Sequence, residues 1–90
     1  MDEVYCTWVV EVALLNNAEH CSYIMTMLRE RDYNHMEVEE LISDYVCDMI
    51  ELNADTNLLL HDLLMASFYN VDWDYLAGIF IAKYNEELAS

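Results

Sequence analysis

Apolar residues between positions 37 and 52 recur at steps of three and four along the chain. On an α-helix this spacing places them on one continuous stripe. The members of the stripe are Val38, Leu41, Ile42, Tyr45, Val46, Met49 and Ile50. The pattern predicts a central helix with one side facing the core, and we expect Leu41, Val46 and Ile50 to pack against other helices.

The segment 4–15 is apolar on nearly every face. Alternation of Val4, Cys6 and Trp8 with their neighbours allows a strand. A helix fits the length of the segment better, and we favour it. A helix that is apolar all round is buried on two sides or forms an interface.

Three further helices are predicted, over about 17–31, 57–69 and from 73 onward. Polar residues before each of the later helices suit the capping position, where a side-chain oxygen accepts an early backbone N–H. The caps that we expect are Asn16 with Glu19, Asn34 with Glu37, Asp55 or Thr56, and Asp72. The apolar rows that we expect are Leu59, Leu60, Leu63, Leu64 and Phe68 in the fourth helix, and Trp73, Leu76, Ala77, Phe80, Ile81 and Tyr84 in the fifth.

Composition supports an all-α fold. The 90 residues are 57% hydrophobic, with one Gly and no Pro, so a core can form but tight turns are few. We predict a single helical domain over residues 1–90, a compact bundle of four to five short helices. Asp2 and Glu3 stand where a leader would be basic, so we expect a cytoplasmic protein of the host cell.

The chain carries a net charge of −15, with Arg29, Arg31 and Lys83 as its cations. Direct binding to nucleic acid is excluded on these grounds, because Lys and Arg supply most of that affinity. An anionic membrane surface is disfavoured for the same reason. The expected partner is therefore a basic protein surface.

Acidic residues form a row of their own on the central helix, at the same helical spacing as the apolar stripe. We call this set the acidic row; its members are Glu37, Glu40, Asp44, Asp48, Glu51 and Asp55. If the helix ran through, the row would span roughly 27 Å. Repulsion between its successive members would cost roughly 1–2.5 kcal/mol. We expect a functional reason for that cost, and predict that the row binds the partner.

Two short segments resemble a known family. Thr7-Trp8-Val9-Val10 through Leu14-Leu15-Asn16-Asn17 resembles the "ETWxVxLWLxN" opening of small helical proteins carried by phages and plasmids. Val71-Asp72-Trp73 is similar to the acidic "VDW" start of the last helix in those proteins. This ending also resembles that of acidic, DNA-mimicking antirestriction proteins. Cys6 stands where that family usually has Glu, and Ala13 where a second Trp is common. The resemblance implies an accessory protein of a mobile element and brings no catalytic residues.

The sequence shows only weak signs of catalysis, metal binding or cysteine chemistry. No carboxylate is singled out by a neighbouring His or a Gly turn, so we predict no enzyme. His20, His35 and His61 lack the paired spacing of zinc ligands, so we predict no metal and no cofactor. The three cysteines show no CxxC spacing, and we expect reduced, buried thiols.

The function that we predict is inhibition by imitation of nucleic acid. The acidic row would occupy the basic groove of a defence protein that binds DNA or RNA, such as a restriction enzyme or a CRISPR effector. The alternatives are a helical homodimeric adaptor and an antitoxin-like protein that neutralises one basic partner. The predicted helices over 4–15 and 73–84 carry more apolar surface than so small a bundle can enclose, so we also predict a homodimer. Its interface would contain Tyr5, Trp8, Val12, Tyr75 and Ile79.

Overall fold

Five α-helices make up the part of the chain that the structure describes. The structure is a computed structural model, and it describes residues 2–52 and 58–89. In chain order the helices are α1 (Glu3–Asn16), α2 (Ala18–Glu30), α3 (His35–Leu52), α4 (Leu58–Phe68) and α5 (Trp73–Ala89). The predicted all-α bundle is confirmed, and residues 4–15 are helix rather than strand.

Side-chain caps fix where α3 and α5 begin. The Asn34 Oδ1 atom accepts the Glu37 N–H at 2.8 Å, and the Glu37 carboxylate accepts the Asn34 N–H at 3.0 Å. This reciprocal capping box satisfies two backbone donors that the helix leaves unpaired. The Asp72 Oδ1 atom accepts the Tyr75 N–H at 3.0 Å at the start of α5. Both predicted caps are confirmed.

The cap of α2 is one residue later than predicted. Asn16 is still helical, as the last residue of α1. Asn17 has extended backbone angles, and its Oδ1 atom accepts the N–H groups of Glu19 and His20 at 2.9 and 3.2 Å. Asn16 and Asn17 have the same side chain, so the sequence pattern alone could not decide which of them caps α2. The predicted cap at Asp55 or Thr56 lies outside the described residues.

The core lies where α3 and α5 cross, the most extensive helix contact of the fold. α1 and α2 pack together and close the core from the other side. The buried residues of the main core are Leu14, Ile24, Met25, Leu28, Val38, Ile42, Ala77 and Phe80. A smaller cluster of Cys6, Val71 and Leu76 joins α1 to the start of α5. No helix among the described residues is long and apolar enough to cross a membrane.

The three α3 residues that were predicted to pack against other helices are covered to different depths. Ile50 is buried, and Leu41 and Val46 are half-buried and pack against the main core, as expected. Val38 and Ile42 are the fully enclosed residues. The apolar stripe of α3 is wider than the part that α5 covers, so its edges stay partly exposed.

Three leucines of the predicted apolar row of α4 are exposed. The exposed fractions of Leu59, Leu63 and Leu64 are 69%, 53% and 37%. Phe68 is half-buried, and the side chain of Leu60 lies outside what the structure describes. Among the described residues, α4 packs mainly against α3. A periodic row identifies residues that share a face, but burial requires another element over that face.

Candidate functional site: the acidic row and its surroundings

The acidic row lies on the solvent side of α3. At 100° per residue, Glu37, Glu40, Asp44, Asp48 and Glu51 fall within an arc of about 80°. From the first to the last of them the helix rises about 21 Å. The buried residues of α3, Val38, Ile42 and Ile50, are on a different side of the helix. Asp55 lies outside the described residues, so the observed row ends at Glu51.

Glu37 has two structural partners at the start of α3. Its carboxylate accepts the Asn34 N–H in the capping box and also pairs with the Arg31 guanidinium at 3.1 Å. The acidic row is therefore partly neutralised at this end, and Glu37 also stabilises the start of α3.

The middle of the row is open to solvent. Glu40, Asp44 and Asp48 are all exposed, and no ion pair reaches them within residues 2–52 and 58–89. Glu51 is exposed as well. These carboxylates lie one helical turn apart, about 5 Å in rise. The result is a strip of negative charge with fixed spacing on a rigid element.

The pKa of the Cys47 thiol responds to the negative charge of this strip. Burial raises the pKa of the Cys47 thiol above its ordinary value, and the carboxylates of Glu51, Asp48 and Asp44 raise it further. A thiol with a raised pKa forms less of the reactive thiolate at neutral pH. Of the three cysteines expected to be buried, Cys6 is buried, whereas Cys21 and Cys47 are half-buried.

The cations are placed away from the middle of the row. Arg29 at the end of α2 donates its Nε–H to Glu87 of α5 at 3.0 Å. That hydrogen bond raises the pKa of Arg29 and lowers the pKa of Glu87, which also lies near Lys83. Arg31 pairs with Glu37 and lies over the Tyr33 ring.

The five residues predicted for a dimer interface do not share one environment. Tyr5, Trp8 and Tyr75 are exposed, whereas Val12 and Ile79 are half-buried. The Tyr5 and Trp8 rings are 6.2 Å apart on α1. Trp8 and Tyr75 line a pocket of about 300 Å³ between α1 and α5, together with Glu3, Glu11 and Asp72.

A His and two carboxylates meet between α3 and α5. The ligand atoms of His35, Glu39 and Asp74 lie within 4.8 Å of one another. This is a donor set that divalent ions accept. The His35 Nε2 atom is already 2.6 Å from the Asp74 carboxylate, so the cluster serves as a link between two helices. The four-residue spacing of His35 and Glu39 is apparent from the sequence. The proximity of Asp74 is not, because Asp74 lies on another helix.

Another histidine pairs with an aromatic residue. The His20 Nδ1 atom and the Tyr45 hydroxyl form a hydrogen bond of 2.7 Å. The Tyr45 ring stacks on Tyr23, with 4.5 Å between ring centroids. Burial raises the pKa of the Tyr45 hydroxyl, which therefore stays neutral at physiological pH. These contacts join α2 to α3.

Sequence reasoning missed an apolar groove. It lies between α1 and α4, with α3 as its floor, and has a volume of about 360 Å³. Its lining residues are Tyr5, Cys6, Val9, Val10, Val46, Ile50, Leu64, Ser67 and Phe68. The signal in the sequence was the surplus of apolar residues in α1 and α4, which we assigned to a dimer interface and to the core.

Comparison of the chain with models of known families, with curated proteins and with solved structures gave no match. The resemblance to small phage and plasmid proteins therefore stays a prediction.

Proposed function

We propose that this protein is a stoichiometric inhibitor that imitates a nucleic acid and binds the basic groove of its target. The observation that carries the proposal is the strip of exposed carboxylates formed by Glu40, Asp44, Asp48 and Glu51. A strip of this kind needs no catalysis and no ligand to act. Its affinity comes from Lys and Arg side chains that were placed to bind phosphates.

The spacing of the strip suits this role. A DNA strand carries one phosphate about every 3.4 Å along the helix axis. The strip carries one carboxylate about every 5 Å over about 16 Å, from Glu40 to Glu51. Long Lys and Arg side chains adjust over such differences, and a rigid helix holds the carboxylates without ordering cost on binding.

The class of target rests on the resemblance to proteins of mobile elements. Proteins with basic grooves that act against such elements include restriction enzymes and CRISPR effectors. We propose a host protein of this kind, which binds DNA or RNA, as the partner.

A capture experiment tests the proposal. Tagged protein is incubated with lysate of a bacterium that carries restriction and CRISPR systems. The row variant, Glu40→Gln with Asp44→Asn and Asp48→Asn, is run in parallel. The control variant, Glu30→Gln with Asp32→Asn and Glu86→Gln, removes three exposed acids outside the row. Both variants have a net charge of −12, which is −15 plus 3.

The proposal expects the wild type and the control variant to retain a nucleic-acid-binding protein that duplex DNA or high salt releases. The row variant should fail to retain it. Retention of the same protein by the row variant would contradict the proposal.

The exposed aromatic side chains of α1 favour a second candidate function, a homodimeric adaptor. Tyr5 and Trp8 are 55% and 57% exposed. Aromatic residues of this kind are enriched at protein interfaces. Salt separates the two functions, because binding through the row weakens with ionic strength and apolar association does not.

A further inference from the structure

The pocket between α1 and α5 combines aromatic rings with carboxylates. We call it the aromatic–acidic pocket; its lining residues are Glu3, Val4, Thr7, Trp8, Glu11, Asp72 and Tyr75. Those from α1 lie one turn apart along one side of that helix. A cavity of about 150 Å³ holds benzene, so the 300 Å³ of this pocket leave room for one long side chain with a planar end group.

Both rings of the pocket are open to a ligand. Trp8 and Tyr75 are 57% and 45% exposed. The face of an aromatic ring attracts a cation, Trp most strongly, and the cation found there is more often Arg than Lys. A planar guanidinium also stacks flat on such a ring. The rings therefore favour a guanidinium group as the ligand.

Carboxylates of the same pocket supply the opposite charge. Glu11 is half-buried, and its Oε1 atom lies 3.5 Å from the Tyr75 hydroxyl, so charge and ring adjoin across the two helices. Glu3 is exposed two turns earlier on α1. Asp72 already accepts the Tyr75 N–H through its Oδ1 atom as the cap of α5. Glu11 and Glu3 are therefore the carboxylates best placed to accept hydrogen bonds from a ligand.

The cations of the chain itself do not neutralise this pocket. Arg29 and Arg31 form ion pairs elsewhere, and Lys83 lies about 12 Å of helix rise beyond Tyr75 on α5. Within residues 2–52 and 58–89, no Lys or Arg forms an ion pair with a carboxylate of the pocket. Charges interact more strongly where bulk water is partly excluded, so a cation from outside gains most at the half-buried Glu11.

We propose that the aromatic–acidic pocket binds an arginine side chain of a partner protein. The guanidinium group stacks against Trp8 and Tyr75 and donates its N–H groups to Glu11 and Glu3. A second copy of this chain would bring the same carboxylates to the same place, so a different protein is the better fit. The site is defined by its own residues and does not depend on the acidic row.

A nuclear magnetic resonance titration of the full chain tests the pocket. The probe is the blocked peptide Gly-Arg-Gly, and the comparison peptide carries citrulline, which has the shape of arginine without its charge. The indole N–H signal of Trp8, assigned with Trp8→Phe, reports on the pocket. The signal of Trp73 reports on a separate surface beside Glu40 of the acidic row. We expect the Trp8 signal to shift at lower peptide concentration than the Trp73 signal, and the citrulline peptide to bind at least about fivefold more weakly.

Paired variants place the peptide on the molecule. Glu11→Gln removes a charge of the pocket at nearly constant shape, and Glu86→Gln removes one from an exposed site of α5 outside it. If Glu11→Gln fails to fold, as judged by circular dichroism, Glu3→Gln replaces it. Tyr75→Leu removes a ring of the pocket, and Tyr69→Leu removes an exposed ring elsewhere. We expect each pocket variant to bind the arginine peptide about two- to fivefold more weakly than its control.

Four results would overturn the proposal. These are equal binding of the arginine and citrulline peptides, a Trp73 signal that shifts before that of Trp8, equal binding by pocket and control variants, and a Trp8 signal that responds to protein concentration but not to peptide. The last would assign the pocket to a second copy of the chain. The row variant separates this inference from the proposed function, because it should keep the Trp8 response to the arginine peptide even if the row proves irrelevant to the target.

Discussion

At the scale of single residues, short polar side chains fix the helix boundaries. Asn17, Asn34 and Asp72 each hold one or two backbone N–H groups within 2.8 to 3.2 Å. A cap of this type contributes about 0.5–2 kcal/mol. These contacts are local in sequence, so capping patterns predicted two of them correctly and misplaced the third by one residue.

Gly78 is the single glycine of the chain and lies inside α5, where it has no positive φ. A Cβ atom at this position would meet the His35 ring at 4.0 Å, an ordinary contact. Because Gly loses more backbone entropy than Ala in a helix, Gly78→Ala should raise the free energy of unfolding by about 0.5–1 kcal/mol. Urea denaturation measures the change.

The exposed Ala82 in the same helix offers a matched control. Ala82→Gly should lower the free energy of unfolding by a similar amount. A loss of stability in Gly78→Ala would mean that α5 requires the close approach of His35.

At the scale of helices, the sequence predicted elements better than it predicted their partners. The periodicity of α3 identified the side with Val38, Ile42 and Ile50, but it could not rank Ile42 above Leu41. That ranking depends on which residues of α5 lie opposite. The exposed leucines of α4 show the same limit, because their burial depends on a neighbouring helix that the pattern of α4 itself does not contain.

Mutual repulsion within the acidic row gives a prediction about α3. The row variant neutralises at least one member of each of the four successive pairs from Glu37 to Glu51. Each pair costs about 0.2–0.5 kcal/mol, so its free energy of unfolding should exceed that of the wild type by about 0.8–2 kcal/mol. The control variant should gain less, since its residues lie outside the row. Thermal unfolding at low salt measures both, and a row variant less stable than the wild type would contradict this reading of the row.

The Arg29–Glu87 pair makes one helix contact sensitive to acid. The Arg29 hydrogen bond lowers the pKa of Glu87 below its ordinary 4.5, so the pair stabilises the fold above that pH. The contribution is lost as the pH falls through the lowered folded-state value, where Glu87 takes up a proton. At pH 7 the wild type should therefore have a higher melting temperature than Glu87→Gln, and the difference should vanish in stronger acid. The size is small, since both side chains are exposed.

The neighbouring exposed Glu86 supplies the control, because Glu86→Gln should leave the melting temperature unchanged at both pH values. A wild-type advantage over Glu87→Gln that persists in strong acid would exclude the ion pair as its cause.

At the scale of the whole molecule, the acidic row and the apolar groove lie on different sides of α3. The molecule measures 44 × 25 × 22 Å, and the row rises about 21 Å along α3 from Glu37 to Glu51. The apolar groove opens between α1 and α4, and α3 carries both its floor and the row. Composition predicted the excess of each kind of surface. Where each surface lies depends on how α4 packs relative to α1, which is a property of the tertiary structure.

The homodimer through the five predicted interface residues stays a prediction. Two chains of −15 repel each other, so a dimer held by apolar contacts should tighten as salt rises. Sedimentation equilibrium at low and moderate salt measures this. Trp8→Ser should weaken the dimer, and Leu88→Ser, at an exposed site on α5, should not. A monomer at tens of micromolar under both conditions would remove the dimer from the account.

The central claim is that the acidic row binds a surface built for phosphates. The most direct measurement is the dissociation constant for the captured target, in rising salt, for the wild type, the row variant and the control variant. Between about 0.1 M and 1 M salt the Debye length falls from about 10 Å to 3 Å. The account predicts steep weakening for the wild type and the control, and at least about tenfold weaker binding by the row variant at low salt. Equal affinities for the row and control variants, or binding that salt leaves unchanged, would contradict it.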